Sequence, residues 1–428
     1  MINSMVLDRI KKFWKTLGAG FITGASDDEP SAIATYSIAG AKFGYSMLWA
    51  AVFTFPFMIA MQEMSGKIGR ISGRGLAGNM KRHYPRWLVF LMALLIVTVN
   101  AINIGADMSG MAQAAAMLFD AHNTGVEKII AFAITLIILP VVIFMPYKKI
   151  FSIFKWLSLS LFAYIFATFT VHQNWPEILY RAVVPSIFWT KDFFLILIAF
   201  LGTTLSPYLY FWQANQEIEE ATILQCKPGH ICKLKPVTND ELKILKRDTR
   251  FGMVFSNLIT FFIITLTAST LFRAGITNIE TLKDAAEALR PLAGEYSYLL
   301  FSLGIISSGF LAIPVLAGSA AYVISEIFNW PEGLNKSFTK APQFYSVIIA
   351  STVIGLLIPI LGFHPVRALF YTSIMYGLIS PFLIFMVMHM ANNKKIVGEH
   401  TNSFAMNVTG HIVLAVMSVF FIATLFIL

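Results

Sequence analysis

Charge is scarce in this chain. Only 13% of its 428 residues are Asp, Glu, Lys or Arg, about half the share of an average soluble domain. Hydrophobic residues make up 57%, and the mean hydropathy is +0.70. These values exclude a soluble globular fold and leave an integral membrane protein. Long polar stretches are also lacking, so there is no room for a second, soluble domain. Cysteine is nearly absent: Cys226 and Cys232 are the only two, which excludes a disulfide scaffold. With His230 they spell Cys-x3-His-x-Cys. Structural zinc wants four ligands and no fourth lies nearby, so an ordinary polar loop is the favoured reading over a partial metal site. The apolar stretches lack a His-Glu-x-x-His helix or a Ser/His pair, which speaks against an intramembrane hydrolase and leaves an enzyme or metal sensor as a remote alternative.

What is present is a succession of apolar stretches, each about 20 residues or more, enough to cross a bilayer as helix. They cover approximately 18–40, 45–66, 87–119, 127–146, 150–170, 193–222, 250–272, 297–326, 343–362, 365–391 and 408–428. The expectation is an all-α membrane protein of eleven spans in a single transmembrane domain. Placing the N-terminus inside puts 24 of the 32 Lys and Arg on the inner side and 8 on the outer. That asymmetry predicts a cytoplasmic N-terminus, an external C-terminus and a cell-membrane location. The net charge of +9 then follows from topology and carries no hint of nucleic acid; the lipid bilayer is the expected partner. Residues 1–17 are basic but too short and too polar for a cleavable signal peptide, and no small-residue cleavage site precedes the first acids.

The first span is interrupted by Asp27-Asp28-Glu29-Pro30-Ser31. A carboxylate near a bilayer midplane costs about 3 kcal/mol on insertion scales, so three adjacent ones need cationic compensation, from a metal ion or protons. The sixth span is interrupted at Ser206-Pro207. Proline removes a backbone donor and disfavours helix in the residue before it, so both spans unwind locally. In hydrocarbon, freed carbonyls are tolerated only where they line a cavity or bind something. Two interrupted spans five apart point to an inverted repeat, spans one to five (about 18–170) echoed by six to ten (about 193–391). Span eleven (about 408–428) is an addition, and the substrate lies between the breaks. Pro314, Pro359 and Pro381 have no acid beside them and read as kinks.

Carboxylates and freed carbonyls are hard ligands suited to a cation. Successive helical residues point about 100° apart, so an intact helix could not aim all three acids at one ion. An unwound stretch allows two to converge, and Glu29 with Asp28 is the expected pair. In span six, Gln213, Gln216, Glu217 and Glu220 fall at i, i+3, i+4 and i+7, a polar stripe that reads as a hydrophilic exit. For Glu219 and Glu220 a water-exposed helix end is an equal alternative. Asn100, Asn103 and Asp107 share one face of span three; Asp107 either assists ions or protons, or bonds a neighbouring helix. Gln62-Glu63 reads as a structural anchor, and neither His389 nor His411 reads as a ligand.

With both breaks and eleven spans in place, the chain resembles the Nramp family of divalent metal transporters, whose fold is of the LeuT type. The resemblance covers essentially the whole chain: Gly18-Ala-Gly20-Phe21, Ala39-Gly40-Ala41-x-Phe43-Gly44-Tyr45, Gln62-Glu63-Met64 and Gly105-Ala-Asp107-Met. Where family members carry Asp-Pro-Gly-Asn, this chain has Glu29-Pro30-Ser31-Ala32. Where they carry Met-Pro-His, it has Ser206-Pro207-Tyr208. The family's second acid of span three is Gly110, and span nine lacks an Arg. Loss of the thioether favours harder ions, Mg²⁺ and Mn²⁺, over softer metals. The pattern resembles the divergent Nramp-related magnesium transporters. The resemblance implies a carrier of divalent cations, Mg²⁺ with Mn²⁺ also accepted, with no cofactor, since the metal is the substrate. Glu29 and Asp28 would bind the ion, Ser206 and the carbonyls of Ser26 and Thr203 would complete the shell, and Asp27 would raise the negative potential. Missing His and Arg imply transport without proton coupling. A proton-coupled Mn²⁺/Fe²⁺ transporter is the rival, and a carrier of organic cations or amino acids the second.

Overall fold

The computed structural model describes residues 18–119, 123–145, 149, 152, 153, 156–225 and 236–427. The Cys226, His230 and Cys232 loop lies outside the described residues. All regular structure among them is helical. Pro30 and Pro207 each open a helix, as the missing N–H and fixed φ of proline allow. The first interrupted span is accordingly α1 (Ala19–Asp27) and α2 (Pro30–Phe43), separated by Asp28 and the extended Glu29. A 3₁₀ turn, Gly44–Met47, leads into α3 (Leu48–Ser72), which is followed by α4 (Leu76–His83), α5 (Arg86–Met117), α6 (Thr124–Phe144), α7 (Phe162–Thr170) and α8 (Trp175–Val183). The second interrupted span is α9 (Lys191–Thr204) and α10 (Pro207–Gln225). Then come α11 (Asn239–Thr267), α12 (Ser297–Phe328), α13 (Pro342–Leu361), α14 (Pro365–Asn392) and α15 (Phe404–Ile427).

Among the described residues nine helical runs are long and apolar enough to cross a membrane, fewer than the eleven expected. The difference has identifiable sources. The 3₁₀ turn joins α2 to α3, so Pro30–Ser72 forms one run, and α1 is a half-helix; the expected span 150–170 lies partly outside the described residues. Helix α11 begins eleven residues before the expected 250, because Thr238 and Glu241 form a capping box ahead of it. Pro314, Pro359 and Pro381 sit inside continuous helices, as expected of kinks.

Polar side chains are buried within an apolar interior, and large apolar side chains also cover the outside. In the hydrophobic window of the α9–α10 segment 89% is buried, against 22% for α15 and 28% for α6, whose exposed Ile129, Phe132 and Leu136 face outward. That arrangement suits a lipid surround. The broken helices therefore occupy the centre. Helix α1 lies backbone to backbone on α11: a Cβ added at Gly24 would come within 2.2 Å of the Gly252 carbonyl. The amino end of α1 is held there by Asp248, which accepts from the amides of Gly18 (2.9 Å) and Gly20 (2.7 Å), satisfying donors that a helix start leaves open.

Candidate ion-binding site

The two breaks meet through Tyr208. Its hydroxyl, one residue past Pro207, lies 3.0 Å from both the Ser26 carbonyl and Glu29 Oε2, the two acceptors of its proton. Glu29 Oε1 accepts from Ser31 Oγ at 2.7 Å. Asn103 of α5 lies against the same carboxylate, whose charge is felt by Asp107, one turn on. The Tyr208 ring packs on Tyr376 of α14, centroids 5.5 Å apart, and Tyr376 donates to Asn100 Oδ1 at 3.0 Å. So Glu29 faces α5, α10 and α14.

Asp27 and Asp28 face the other way. Ser256 Oγ of α11 lies 2.9 Å from Asp27 Oδ2 and 3.4 Å from Asp28 Oδ1. The remaining oxygens, Asp27 Oδ1 and Asp28 Oδ2, are buried without a hydrogen-bond partner, as are both oxygens of Asp107 and both polar atoms of Asn103. Asp27, Asp28, Glu29 and Asp107 are all at most 1% exposed. Ser206 bonds the Thr203 carbonyl at 2.5 Å and lies within reach of Asp27. The structure thus pairs Asp28 with Asp27 rather than with Glu29. Among the described residues no three Asp, Glu, His or Cys side chains converge as a metal centre. Adjacent residues on a tightly turning backbone diverge, and here they serve two flanks of the break.

Beyond the site, the stripe on α10 is tied into hydrogen bonds. Thr23 Oγ1 donates to Gln213 Oε1 at 2.5 Å, and Gln213 Nε2 donates to Glu217 at 2.8 Å. Gln216 donates to Tyr322 of α12 at 3.3 Å. The exposed-end reading of Glu219 is corrected: it is buried, accepts from the Tyr322 hydroxyl, and holds the amides of Leu334 and Asn335 at 2.7 and 3.1 Å. Glu63 is anchored by Arg250 at 2.6 Å, as a structural role requires. His389 bonds Tyr84 and His411 bonds the Asn407 carbonyl, both away from the breaks.

Sequence reasoning missed Ser256, Ser31 and Tyr376. The signal for Ser256 is a hydroxyl row on α11, Thr249, Ser256 and Thr260, spaced by seven and four residues and therefore on one face. Tyr376 has no signal, because its role depends on how α14 crosses α10.

Residues 20–427 match the family model described as natural resistance-associated macrophage protein-like, Nramp. The chain is 26% identical over 404 residues to the divalent metal cation transporter MntH of Caldanaerobacter subterraneus, covering 92% of this chain and 88% of that protein. It is 23% identical over 416 residues to MntH of Erwinia tasmaniensis, covering 94% and 91%. Among solved structures, the Eremococcus coleocola manganese transporter superposes with a TM-score of 0.71 at 14% identity, over 96% of this chain and 87% of that one. The nucleobase-cation-symport-1 family transporter Mhp1 does so with a TM-score of 0.60 at 13% identity, over 96% and 92%. These likenesses show a transporter fold with two broken helices at its centre. The match over nearly the whole length decides the rest: this chain belongs to the Nramp family.

Proposed function

We propose that the protein carries divalent metal cations across a cell membrane by alternating access, with Mg²⁺ as the main cargo and Mn²⁺ also accepted, without proton coupling. The observation that carries the reading is the Glu29–Tyr208–Ser26 bridge between the two breaks. The Tyr208 hydroxyl proton lies between a carboxylate oxygen and a freed carbonyl, where a cation would find both as hard ligands. Ser206 and the Thr203 carbonyl stand on the opposite break. Asp28 and Asp27 add negative charge beside them. Among the described residues the hydrogen-bond partners of these groups are hydroxyls, carbonyls and carboxylates, a donor set that suits Mg²⁺ and Mn²⁺ over softer ions. The N-terminus lies in the cytoplasm and the C-terminus outside, and the Thr23–Gln213–Glu217 chain is the closed inner passage.

A second reading is a proton-coupled Mn²⁺ carrier; its metal, though not its coupling, is the one named for the solved manganese transporter. One experiment tests both. Purified protein in liposomes is given Mg²⁺, Mn²⁺ or Ca²⁺ with and without a pH gradient. Mg²⁺ uptake indifferent to the gradient is the expected result. Mn²⁺ uptake that excludes Mg²⁺ and follows the gradient would establish the rival instead.

A further inference from the structure

Four buried carboxylates surround the first break, Asp27, Asp28, Glu29 and Asp107, and among the described residues none has an ion pair with Lys, Arg or His. One divalent ion supplies half of the charge they can carry. Charge buried in low dielectric without compensation costs several kcal/mol per ion, so beside one cargo ion the remaining charge calls for protons or a second cation. The geometry also separates the acids: Glu29 is turned to α5, α10 and α14, whereas Asp27 and Asp28 are turned to α11.

We infer that Asp27, Asp28, Ser256 and Thr260 form a second cation site, distinct from the Glu29 site and occupied together with it by a hard, oxygen-ligated cation, Na⁺ or a second divalent ion. This rests on the carrier reading given above. Beyond the two acids, a neighbouring hydroxyl on α11 supports it. Thr260 Oγ1 is fully buried, one turn from Ser256, with the Tyr36 hydroxyl within reach but no well-formed hydrogen bond, and Tyr36 in turn feels both Asp27 and Asp28. The orphan oxygens Asp27 Oδ1 and Asp28 Oδ2 complete a set of carboxylate and hydroxyl donors. A buried polar atom left unpaired costs about 1–3 kcal/mol, and a bound cation removes several such costs at once. Nothing in the set is soft, so the occupant is a hard ion.

The test uses the full chain, purified, with Mn²⁺ and ²²Na⁺ as probes in equilibrium dialysis, with and without NaCl. The wild type is expected to bind two cations. Two Mn²⁺ identify the second occupant as divalent; one Mn²⁺ with one ²²Na⁺ identifies it as sodium. Ser256→Ala and Thr260→Val are each expected to weaken the second cation by about tenfold, the loss of one charge-assisted ligand contact, and to leave the first Mn²⁺ bound, which also reports that they fold. Glu29→Gln should lose the first Mn²⁺. A wild type that binds one Mn²⁺ and no ²²Na⁺, or two variants that keep both cations at wild-type affinity, overturns the second site and leaves the carrier reading standing. A wild type that binds no Mn²⁺ overturns both.

Discussion

At Tyr208 one phenolic proton bridges the two breaks, a contact that the sequence, which shows a tyrosine after a proline, does not reveal. Glu29 is where its bond ends, so Glu29→Gln keeps the hydrogen bond and the fold but removes the charge. Uptake by this variant should vanish while its elution on size exclusion stays unchanged; uptake at the wild-type rate at low external metal would remove Glu29 from the site. Ser206 stands on the other break, tied to the Thr203 carbonyl. Ser206→Met places a thioether there and should raise Cd²⁺ or Mn²⁺ transport relative to Mg²⁺. Competition among the three ions in proteoliposomes measures the ratio, and an unchanged ratio would mean that position 206 does not face the cargo. The acids themselves were legible because charge in an apolar stretch is conspicuous. Their directions were not, since a one-residue change in where the helix unwinds reassigns every side chain to another neighbour.

At the scale of elements, α1 is a nine-residue helix that depends on α11 at two points. Asp248 caps its amino end, and Gly24 lets its backbone lie on Gly252. Gly24→Ala inserts a methyl where no space exists and should cost about 1–3 kcal/mol, seen as a lower melting temperature. Asp248→Ala removes a cap worth about 0.5–2 kcal/mol and should free α1 to swing. With Cys226 and Cys232 replaced by Ser, an Ala25→Cys reporter should then react faster with a thiol reagent than it does with Asp248 in place. Equal rates would mean that Asp248 does not restrain α1. Past the end of α12, half-buried Glu332 behaves differently. Burial, with the neighbouring charges of Glu326 and Glu219 and against the pull of Lys336, pushes its carboxyl from 4.5 up to about 9. The folded state therefore binds this proton more tightly than the unfolded chain does. Its contribution to stability is full below about pH 4.5 and is lost as pH rises toward 9. Glu332→Gln should raise the melting temperature at about pH 8 and change it little at about pH 5; the opposite order would refute the assignment. Helix positions were legible to within a few residues because apolar length and proline set them, whereas the early start of α11 came from a capping box in a polar stretch where hydropathy is silent.

For the whole molecule, the inverted architecture was readable from two breaks five spans apart, while the count of membrane-crossing runs depends on a 3₁₀ turn that hydropathy alone does not resolve. The same architecture bears on what drives transport. Protons need titratable groups leading from the site to water. Tyr208 stands where the family has His, and its hydroxyl is committed to Glu29 and Ser26. Gly110, where the family has an acid, faces Pro30 and Leu369 instead. Helix α13, Pro342–Leu361, contains no Arg. Asp107 and Asp27 are the acids that remain beside the break. On the proposed reading the driving forces are the ion gradients and the membrane potential, the latter worth about 2.3 kcal/mol per charge per 100 mV. Mg²⁺ influx into liposomes should then grow as the interior is made negative with a K⁺ diffusion potential, while a pH-sensitive dye trapped inside stays flat. Metal-dependent acidification of the interior, absent from protein-free liposomes, would show that protons accompany the metal. In that case the remnants Asp107 and Asp27 would have to be their carriers, and Asp107→Asn should abolish the acidification while metal binding at Glu29 persists.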